Sequence, residues 1–410
     1  MDIMKKRWLI LIASCLVTLC AGSLYAWSVF ATPMAAYLSA LTGKEIASLA
    51  IVFTVANSVG PITMISGGSI NDRIGPRWIL IIGGLLFGAG MIGSGFVKSV
   101  TGLIISYGLG VGLGVGMVYG TIVSNAVKFF PDKSGLAGGL TTACYGGSSI
   151  IIPIIATAML TKYEITTCFK ILGAVMGAII VLSSFVIEAC PPNFSVSGPA
   201  GAKQQNKSAA ASGDYTWRQM IAESRFYLML VTLMCGAFGG MMIISQASPL
   251  AQRMMGFSQS TAAAVVSILA CFNMIGRLAS GMLSDRLGSE GTMKITFAMS
   301  IAAGGLLFFC NPGSTALFYI GLSVVGFSFG SIMGIYPGYT ARQFGRKNNS
   351  VNYGIMFIGF ALAGLFGPMI MNSIYSSSGK YQPAFLVSAG LALLGFILVL
   401  ILDARKKKQI

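Results

Sequence analysis

The chain has 410 residues, of which 55% are hydrophobic and only 9% are charged, whereas soluble domains carry roughly 25% charged residues. This composition excludes an ordinary soluble protein and predicts a polytopic membrane protein. The net charge of +16 would suit a nucleic-acid-binding protein, but the distribution of these charges along the chain argues against nucleic acid as a partner.

Twelve apolar stretches predict twelve transmembrane helices, because each is long enough to cross roughly 30 Å of hydrocarbon. We place them at residues 8–30, 46–66, 78–97, 101–126, 135–160, 166–187, 226–250, 261–283, 293–310, 313–338, 351–372 and 382–402. In the fourth stretch, Gly108, Gly112, Gly116 and Gly120 recur at four-residue steps, which predicts a smooth stripe against a neighbouring helix. A dinucleotide loop is the weaker interpretation of these glycines, because they lie inside a span.

Residues 190–216 are the only long polar stretch rich in Pro, Gly and Ser, which predicts a cytoplasmic linker. It divides the chain into an N-terminal bundle of six spans at residues 1–189 and a C-terminal bundle of six spans at residues 217–410. Of the 27 Lys and Arg residues, 20 fall on the side of the linker, 6 fall on the opposite side, and one, Arg277, lies within a span. This asymmetry predicts that both termini are cytoplasmic.

The two halves repeat each other. Residues 68–75 (GSINDRIG) match residues 281–288 (GMLSDRLG), 213 positions later (68 to 281). A weaker match pairs FPDKSG at 130–135 with FGRKNN at 344–349, 214 positions later (130 to 344). Two matches at nearly one spacing indicate duplication. A parallel repeat of six spans is the architecture of the major facilitator superfamily, in which the substrate site is expected at mid-membrane between the halves.

Each repeated loop carries an Asp-Arg pair, Asp72 with Arg73 and Asp285 with Arg286. The flanking glycines allow a tight turn, and the carboxylates can bind basic residues or lie at helix N-termini. We interpret the four residues as a conformational latch on the cytoplasmic face, which carries no information about the substrate.

Arg277 lies within the otherwise apolar eighth stretch. A cation at the centre of a span costs about 2.5–3.5 kcal/mol even on lenient scales, so a partner is expected. All eleven acidic residues fall at span ends or in loops, and the chain has no histidine. We therefore expect an anionic ligand, because a guanidinium binds a carboxylate bidentately. The alternative is a structural arginine that binds backbone carbonyls or a helix end.

Polar and aromatic residues accompany this arginine. Asn273 precedes Arg277 by four residues and therefore shares its helix face, where it can orient the guanidinium or contact the ligand. Tyr25, Tyr119 and Tyr145 lie mid-span in the N-terminal half, and each offers an apolar wall with one hydroxyl. The alternative for a single membrane tyrosine is packing or an interface position.

Four segments carry a specific resemblance: AGSLYAWSVF (21–30), FPDKSGLAGGLTTACYGG (130–147), NMIGRLASGMLSDRLG (273–288) and NYGIMF (352–357). On these segments the chain resembles the oxalate/formate antiporter family, a prokaryotic relative of the monocarboxylate transporters. The resemblance implies that Arg277 binds a substrate carboxylate. It also implies that the matching aromatic residues line the pocket, namely Tyr25, Tyr119, Tyr145, Phe329 and Phe357.

Two departures from the relatives bear on the substrate. The oxalate exchanger has a lysine where this chain has Phe360, which leaves one fixed cation and favours a monoanion over a dianion. The animal relatives have an aspartate linked to proton coupling where this chain has Asn273. Coupling is then expected through the substrate's own carboxyl group or through anion exchange.

The sequence thus predicts an all-α membrane protein of twelve transmembrane helices in two pseudo-symmetric bundles of six. We expect a monomeric secondary transporter of lactate, pyruvate, formate or similar anions in the inner cell membrane, working by alternating access, with the proton as a candidate second partner. The alternatives are an oxalate/formate-type antiporter, an exporter of other organic anions, and a transport-inactive sensor. No metal, cofactor or enzymatic activity is expected, because the sequence has no nucleotide-binding loop, metal-ligand pattern or activated nucleophile.

Overall fold

A computed structural model describes residues 3–46, 48–191, 194, 196 and 213–407, and within them the regular structure is entirely helical. Twelve helices of this part of the chain have the length and apolar composition to cross a membrane. They are Ile3–Thr42, Ala50–Ile74, Pro76–Ser94, Val100–Phe129, Ser134–Leu160, Ile165–Ser183, Ser224–Met254, Gln259–Leu287, Ser289–Phe308, Thr315–Phe344, Asn349–Ser378 and Gln382–Arg405. Helices suit this environment because they satisfy every backbone hydrogen bond internally.

Each predicted stretch corresponds to one of these helices, so the prediction of twelve spans is confirmed. The largest difference in bounds is in the first span, predicted at residues 8–30 and observed at Ile3–Thr42. There, a 3₁₀ turn at Gly22–Ala26 joins the helices Ile3–Ala21 and Trp27–Thr42. The second helix of this span, Trp27–Thr42, extends beyond the roughly 20 residues that cross a membrane, and the prediction ended at that length.

Several spans contain local irregularities. The fourth includes a π-helical segment at Ile104–Val111, and the seventh ends in another at Leu250–Met254. The eleventh is interrupted at Phe357, between the helices Asn349–Met356 and Ile358–Ser378. Such π-helical segments are frequent at functional sites in proteins.

The second span packs closely on the glycine stripe of the fourth. A Cβ atom at Gly112 would lie 2.6 Å from the carbonyl oxygen of Ala56, and one at Gly116 would overlap the carbonyl oxygen of Gly60. Larger side chains would separate the two backbones. The predicted packing role of this stripe is therefore confirmed.

The chain forms two compact units. The N-terminal unit comprises Met1–Asp132, Cys144–Asp214 and Phe344–Ile355, and the C-terminal unit comprises Lys133–Ala143, Tyr215–Gln343 and Met356–Ile410. Most of the linker predicted at residues 190–216 lies outside the described residues, so the predicted domain division stays a prediction.

Candidate functional site

Arg277 is the largest fully buried side chain of the described residues, with 1% of its surface exposed. It lies on the eighth span, in the C-terminal unit, and its guanidinium makes two hydrogen bonds. Nε donates to Asn273 Oδ1 at 3.0 Å, and Nη1 donates to the backbone carbonyl of Thr142 at 3.0 Å. Asn273 therefore shares the helix face of Arg277, as the four-residue spacing predicted.

The positive charge of Arg277 is not neutralised by an acidic side chain of the described residues. Six ion pairs occur in this part of the chain, and none includes Arg277. A guanidinium has five N–H donors, and only two make hydrogen bonds here. The bond to Thr142 is of the kind expected for a structural arginine, yet it leaves the charge uncompensated and donors available for an anion.

A row of aromatic rings extends from the guanidinium within the C-terminal unit. The Arg277 Cζ lies 5.9 Å from the centre of the Phe329 ring, close enough for a cation–π interaction. The rings of Phe329 and Phe360 are 6.3 Å apart, and those of Phe360 and Phe357 stack at 4.4 Å. Three predicted aromatic residues thus lie next to one another and form an apolar wall beside the cation.

The three predicted tyrosines also lie together, in the N-terminal unit. The ring of Tyr145 contacts that of Tyr25 at 5.3 Å and that of Tyr119 at 4.6 Å. The 3₁₀ turn at Gly22–Ala26 presents Tyr25, and close packing of Gly22 on Tyr145 brings the first span onto the fifth. Tyr119 and Tyr145 are buried, and Tyr25 is half-buried.

The repeated aspartates occupy equivalent positions at the start of two helices. Asp285 accepts hydrogen bonds from the backbone N–H groups of Gly135 and Leu136, both at 2.8 Å, in the first turn of the fifth span. Asp72 accepts from the N–H groups of Ser350 at 3.4 Å and Val351 at 3.0 Å, in the first turn of the eleventh span. A carboxylate at a helix N-terminus is stabilised by the helix dipole.

The two aspartates also form ion pairs, but with basic residues other than Arg73 and Arg286, which follow them in the sequence. Lys128 Nζ lies 2.5 Å from Asp72 Oδ1, and Arg342 Nη1 lies 3.1 Å from Asp285 Oδ1. The neighbouring Arg73 and Arg286, also predicted for the latch, are exposed and take no part in these ion pairs.

Sequence reasoning missed three of these partners. Lys128 and Arg342 are 214 positions apart (128 to 342), the spacing of the internal repeat, so the repeat contained a signal for both. Nothing in the sequence indicated the backbone carbonyl of Thr142 as a partner of Arg277, because every residue has a backbone carbonyl. The sequence correctly placed Glu290 at the end of a span. Its burial, with 4% of its surface exposed, and the hydrogen bond that Gln343 donates to it at 3.1 Å depend on tertiary packing.

Comparison with known families fits this arrangement. The sequence profile of the Major Facilitator Superfamily matches residues 14–368. The chain belongs to the Major Facilitator Superfamily. The predicted fold class, an all-α protein of twelve spans, is confirmed, and this transporter is a multi-pass membrane protein of a family of transporters rather than enzymes.

Relatives and solved structures agree with the family. The oxalate:formate antiporter of Oxalobacter formigenes is 28% identical over 399 residues, covering 97% of this chain and 91% of that protein. Human monocarboxylate transporter 12 is 22% identical over 412 residues, covering 93% and 77%. The crystal structure of the transporter FucP superposes with a TM-score of 0.73 at 14% identity, covering 97% and 99%, which supports the fold alone. The predicted resemblance to the oxalate/formate antiporter family is thereby confirmed.

Proposed function

We propose that this Major Facilitator Superfamily transporter moves small monocarboxylate anions of the lactate, pyruvate and formate class by alternating access. Arg277 is the carboxylate anchor. One observation carries the proposal: a fully buried guanidinium has no acidic partner among the described residues and makes only two of its five possible hydrogen bonds. A carboxylate would supply both the missing charge and the missing acceptors.

Charge balance favours a monoanion. Among the described residues, the side chain that hydrogen-bonds Arg277 is Asn273 and the ring near its guanidinium is Phe329, and both are neutral. Phe360, at the position where the resemblance implies a lysine in the oxalate exchanger, adds an aromatic ring rather than a second cation. One bound carboxylate therefore neutralises the site, whereas a dianion would leave one negative charge in an apolar environment, which is costly.

The tyrosines, phenylalanines and repeated aspartates have separate roles in this proposal. Phe329, Phe357 and Phe360 of the C-terminal unit provide an apolar wall for the organic part of the substrate. Tyr25, Tyr119 and Tyr145 of the N-terminal unit are substrate-binding residues on the strength of the family resemblance. The aspartates and their basic partners anchor the starts of the fifth and eleventh spans and act as the latch. The protein lies in the cell membrane with both termini cytoplasmic, because its Lys and Arg residues are concentrated on that side.

Coupling by exchange or through the substrate's own carboxyl group follows from the groups around Arg277. Neither Asn273 nor Phe329 has an ionisable side chain that could carry a transported proton. The second candidate function is oxalate/formate-type exchange of a dicarboxylate for a monocarboxylate, which the 28% identical antiporter favours.

The test is uptake into proteoliposomes. The purified protein is reconstituted, and influx of radiolabelled lactate or formate is measured with and without a pH gradient and with a panel of competing acids. Protein-free liposomes are the control. Competition by monocarboxylates but not by oxalate supports the proposal, competition by oxalate supports the second candidate, and absence of competition by either refutes both.

A further inference from the structure

The guanidinium of Arg277 connects the eighth span to the first part of the fifth span. Its Nη1 donates to the backbone carbonyl of Thr142 at 3.0 Å, whereas its Nε donates to Asn273 on its own helix. Thr142 belongs to the segment Lys133–Ala143, which contains the start of the fifth span and is part of the C-terminal unit. Of the two bonds, only the one to Thr142 joins two spans.

The same segment packs closely on the eighth span between its start and Thr142. A Cβ atom at Gly139 would lie 2.6 Å from the carbonyl oxygen of Arg277, and one at Gly135 would overlap the carbonyl oxygen of Gly281. Asp285 accepts hydrogen bonds from the N–H groups at the start of the segment. The two spans therefore meet at several successive levels, and the guanidinium bond lies at the end farthest from Asp285.

The internal repeat contains a second contact of this kind that has no cation. The position equivalent to Arg277 in the first half is Met64, 213 positions earlier (64 to 277). In the N-terminal unit, a Cβ atom at Gly354 would lie 3.0 Å from the carbonyl oxygen of Met64, an approach similar to that of Gly139 to Arg277. The Met64 side chain is buried and packs on Gly120 of the fourth span. Of these two equivalent contacts, the one at Arg277 includes a group that an anion can bind.

A carboxylate competes with Thr142 for the guanidinium. A bidentate carboxylate takes two parallel N–H groups, one from Nη2 and one from either Nε or Nη1. Nε and Nη1 both donate within the chain already, so either mode engages a nitrogen that has a partner. A carboxylate carries a full negative charge and the Thr142 carbonyl is neutral, so the carboxylate is the stronger partner for a buried cation.

We propose that the substrate carboxylate takes Nη1 and Nη2 of Arg277 and displaces the Thr142 carbonyl, which loosens the contact of segment Lys133–Ala143 with the eighth span. This inference rests on the proposed function, because it takes Arg277 as the carboxylate anchor. Without substrate, the bond to Thr142 holds the segment in place and slows reorientation of the unloaded transporter. The equivalent contact at Met64 does not respond to substrate. The transporter therefore favours exchange of anions over net uptake.

The first test is hydrogen–deuterium exchange of the wild-type protein in lipid nanodiscs, with and without lactate or formate. Peptides covering residues 134–143 should exchange about 2–10-fold faster with the anion bound, because the segment loses one hydrogen bond. Peptides covering residues 349–355, which include the equivalent contact to Met64, are the matched control and should not change. The thermal shift of the same samples measures anion binding independently.

The outcomes of this experiment separate the inference from the proposed function. Anion binding without faster exchange at residues 134–143, or with an equal change in both segments, overturns the inference and leaves the anchor role of Arg277 intact. Absence of binding by lactate and by formate overturns both.

The second test weakens the contact by substitution. Gly139→Ala places a Cβ atom against the carbonyl of Arg277 and should separate the two spans, whereas Gly305→Ala, the control, meets no atom within 4 Å. The measurement is influx of labelled lactate into vesicles with and without internal lactate. The ratio of exchange to net influx should fall severalfold in Gly139→Ala and stay at the wild-type value in Gly305→Ala. An unchanged ratio in a folded Gly139→Ala protein overturns the inference, and if this variant does not fold, the exchange rates of the wild type decide.

Discussion

Replacing Arg277 is the most direct way to separate a binding arginine from a structural one. Arg277→Gln removes the charge at a position with 1% exposure and no acidic partner among the described residues, and Arg277→Lys keeps the charge without the planar fork. Arg218→Gln is the matched control, because Arg218 is an exposed arginine on the short helix Trp217–Ala222.

The magnitude follows from the hydrogen bonds that the guanidinium would make to a carboxylate. Each bond to a charged group contributes about 1.5–3 kcal/mol, so losing a bidentate pair costs about 3–6 kcal/mol. That loss corresponds to roughly 10²–10⁴-fold weaker binding. Arg277→Lys retains the charge and one bond, and is expected to bind about 10–100-fold more weakly than wild type.

Folding stability should change much less than binding. Arg277→Gln leaves the Asn273 side chain and the Thr142 carbonyl without their donor, but it also removes an uncompensated buried cation, and the two effects oppose each other. The expected result is a Tm within a few degrees of wild type, normal membrane expression and no measurable transport.

The assay combines influx of labelled lactate or formate into proteoliposomes with thermal unfolding of the same preparations. Wild-type transport by Arg277→Gln would refute the anchor role. Loss of expression, or a large drop in Tm together with loss of transport, would instead favour the structural alternative, in which Arg277 stabilises the fold through its hydrogen bond to the carbonyl of Thr142. Arg218→Gln should resemble wild type in both measurements.

Three further predictions concern charge balance, coupling and the latch. Phe360→Lys supplies a second cation beside the anchor and should increase competition by oxalate; a correctly folded variant that binds oxalate no better than wild type counts against the charge argument. Preloading vesicles with a carboxylate should accelerate influx at least as much as an inward proton gradient does, and Asn273→Asp should increase the dependence of influx on that gradient. The contrary result is strict proton symport by the wild type, in which the pH dependence of influx follows a pKa that does not change with the substrate. That result would show that a titrating side chain of the protein carries the proton. Asp72→Asn and Asp285→Asn each weaken an ion pair and two bonds to a helix N-terminus, about 1–3 kcal/mol, and should lower the Tm and slow transport. Glu188→Gln, in an exposed pair, should do neither, and equal effects in all three variants would contradict a specific role for the repeated aspartates.

One pair of the candidate site, Asn273 and Arg277, follows from a local sequence rule. The four-residue step from Asn273 to Arg277 places both on one helix face, and the observed bond of 3.0 Å agrees with that geometry. The tyrosine cluster was harder to anticipate from spacing, because Tyr25, Tyr119 and Tyr145 lie on three different spans. Their expected proximity came from the family resemblance, and the contacts between their rings come from packing of the first, fourth and fifth spans.

The sequence by itself determined the number of spans, the internal duplication and the presence of a cation in an apolar helix. These properties depend on runs of neighbouring residues and on the cost of exposing polar groups to hydrocarbon. Only the tertiary structure decided which groups meet across helices: Thr142 at Arg277, Lys128 at Asp72 and Arg342 at Asp285. The physical reason is that such contacts depend on the rotation and depth of each helix against its neighbours, which packing of whole helix faces sets and no single segment encodes.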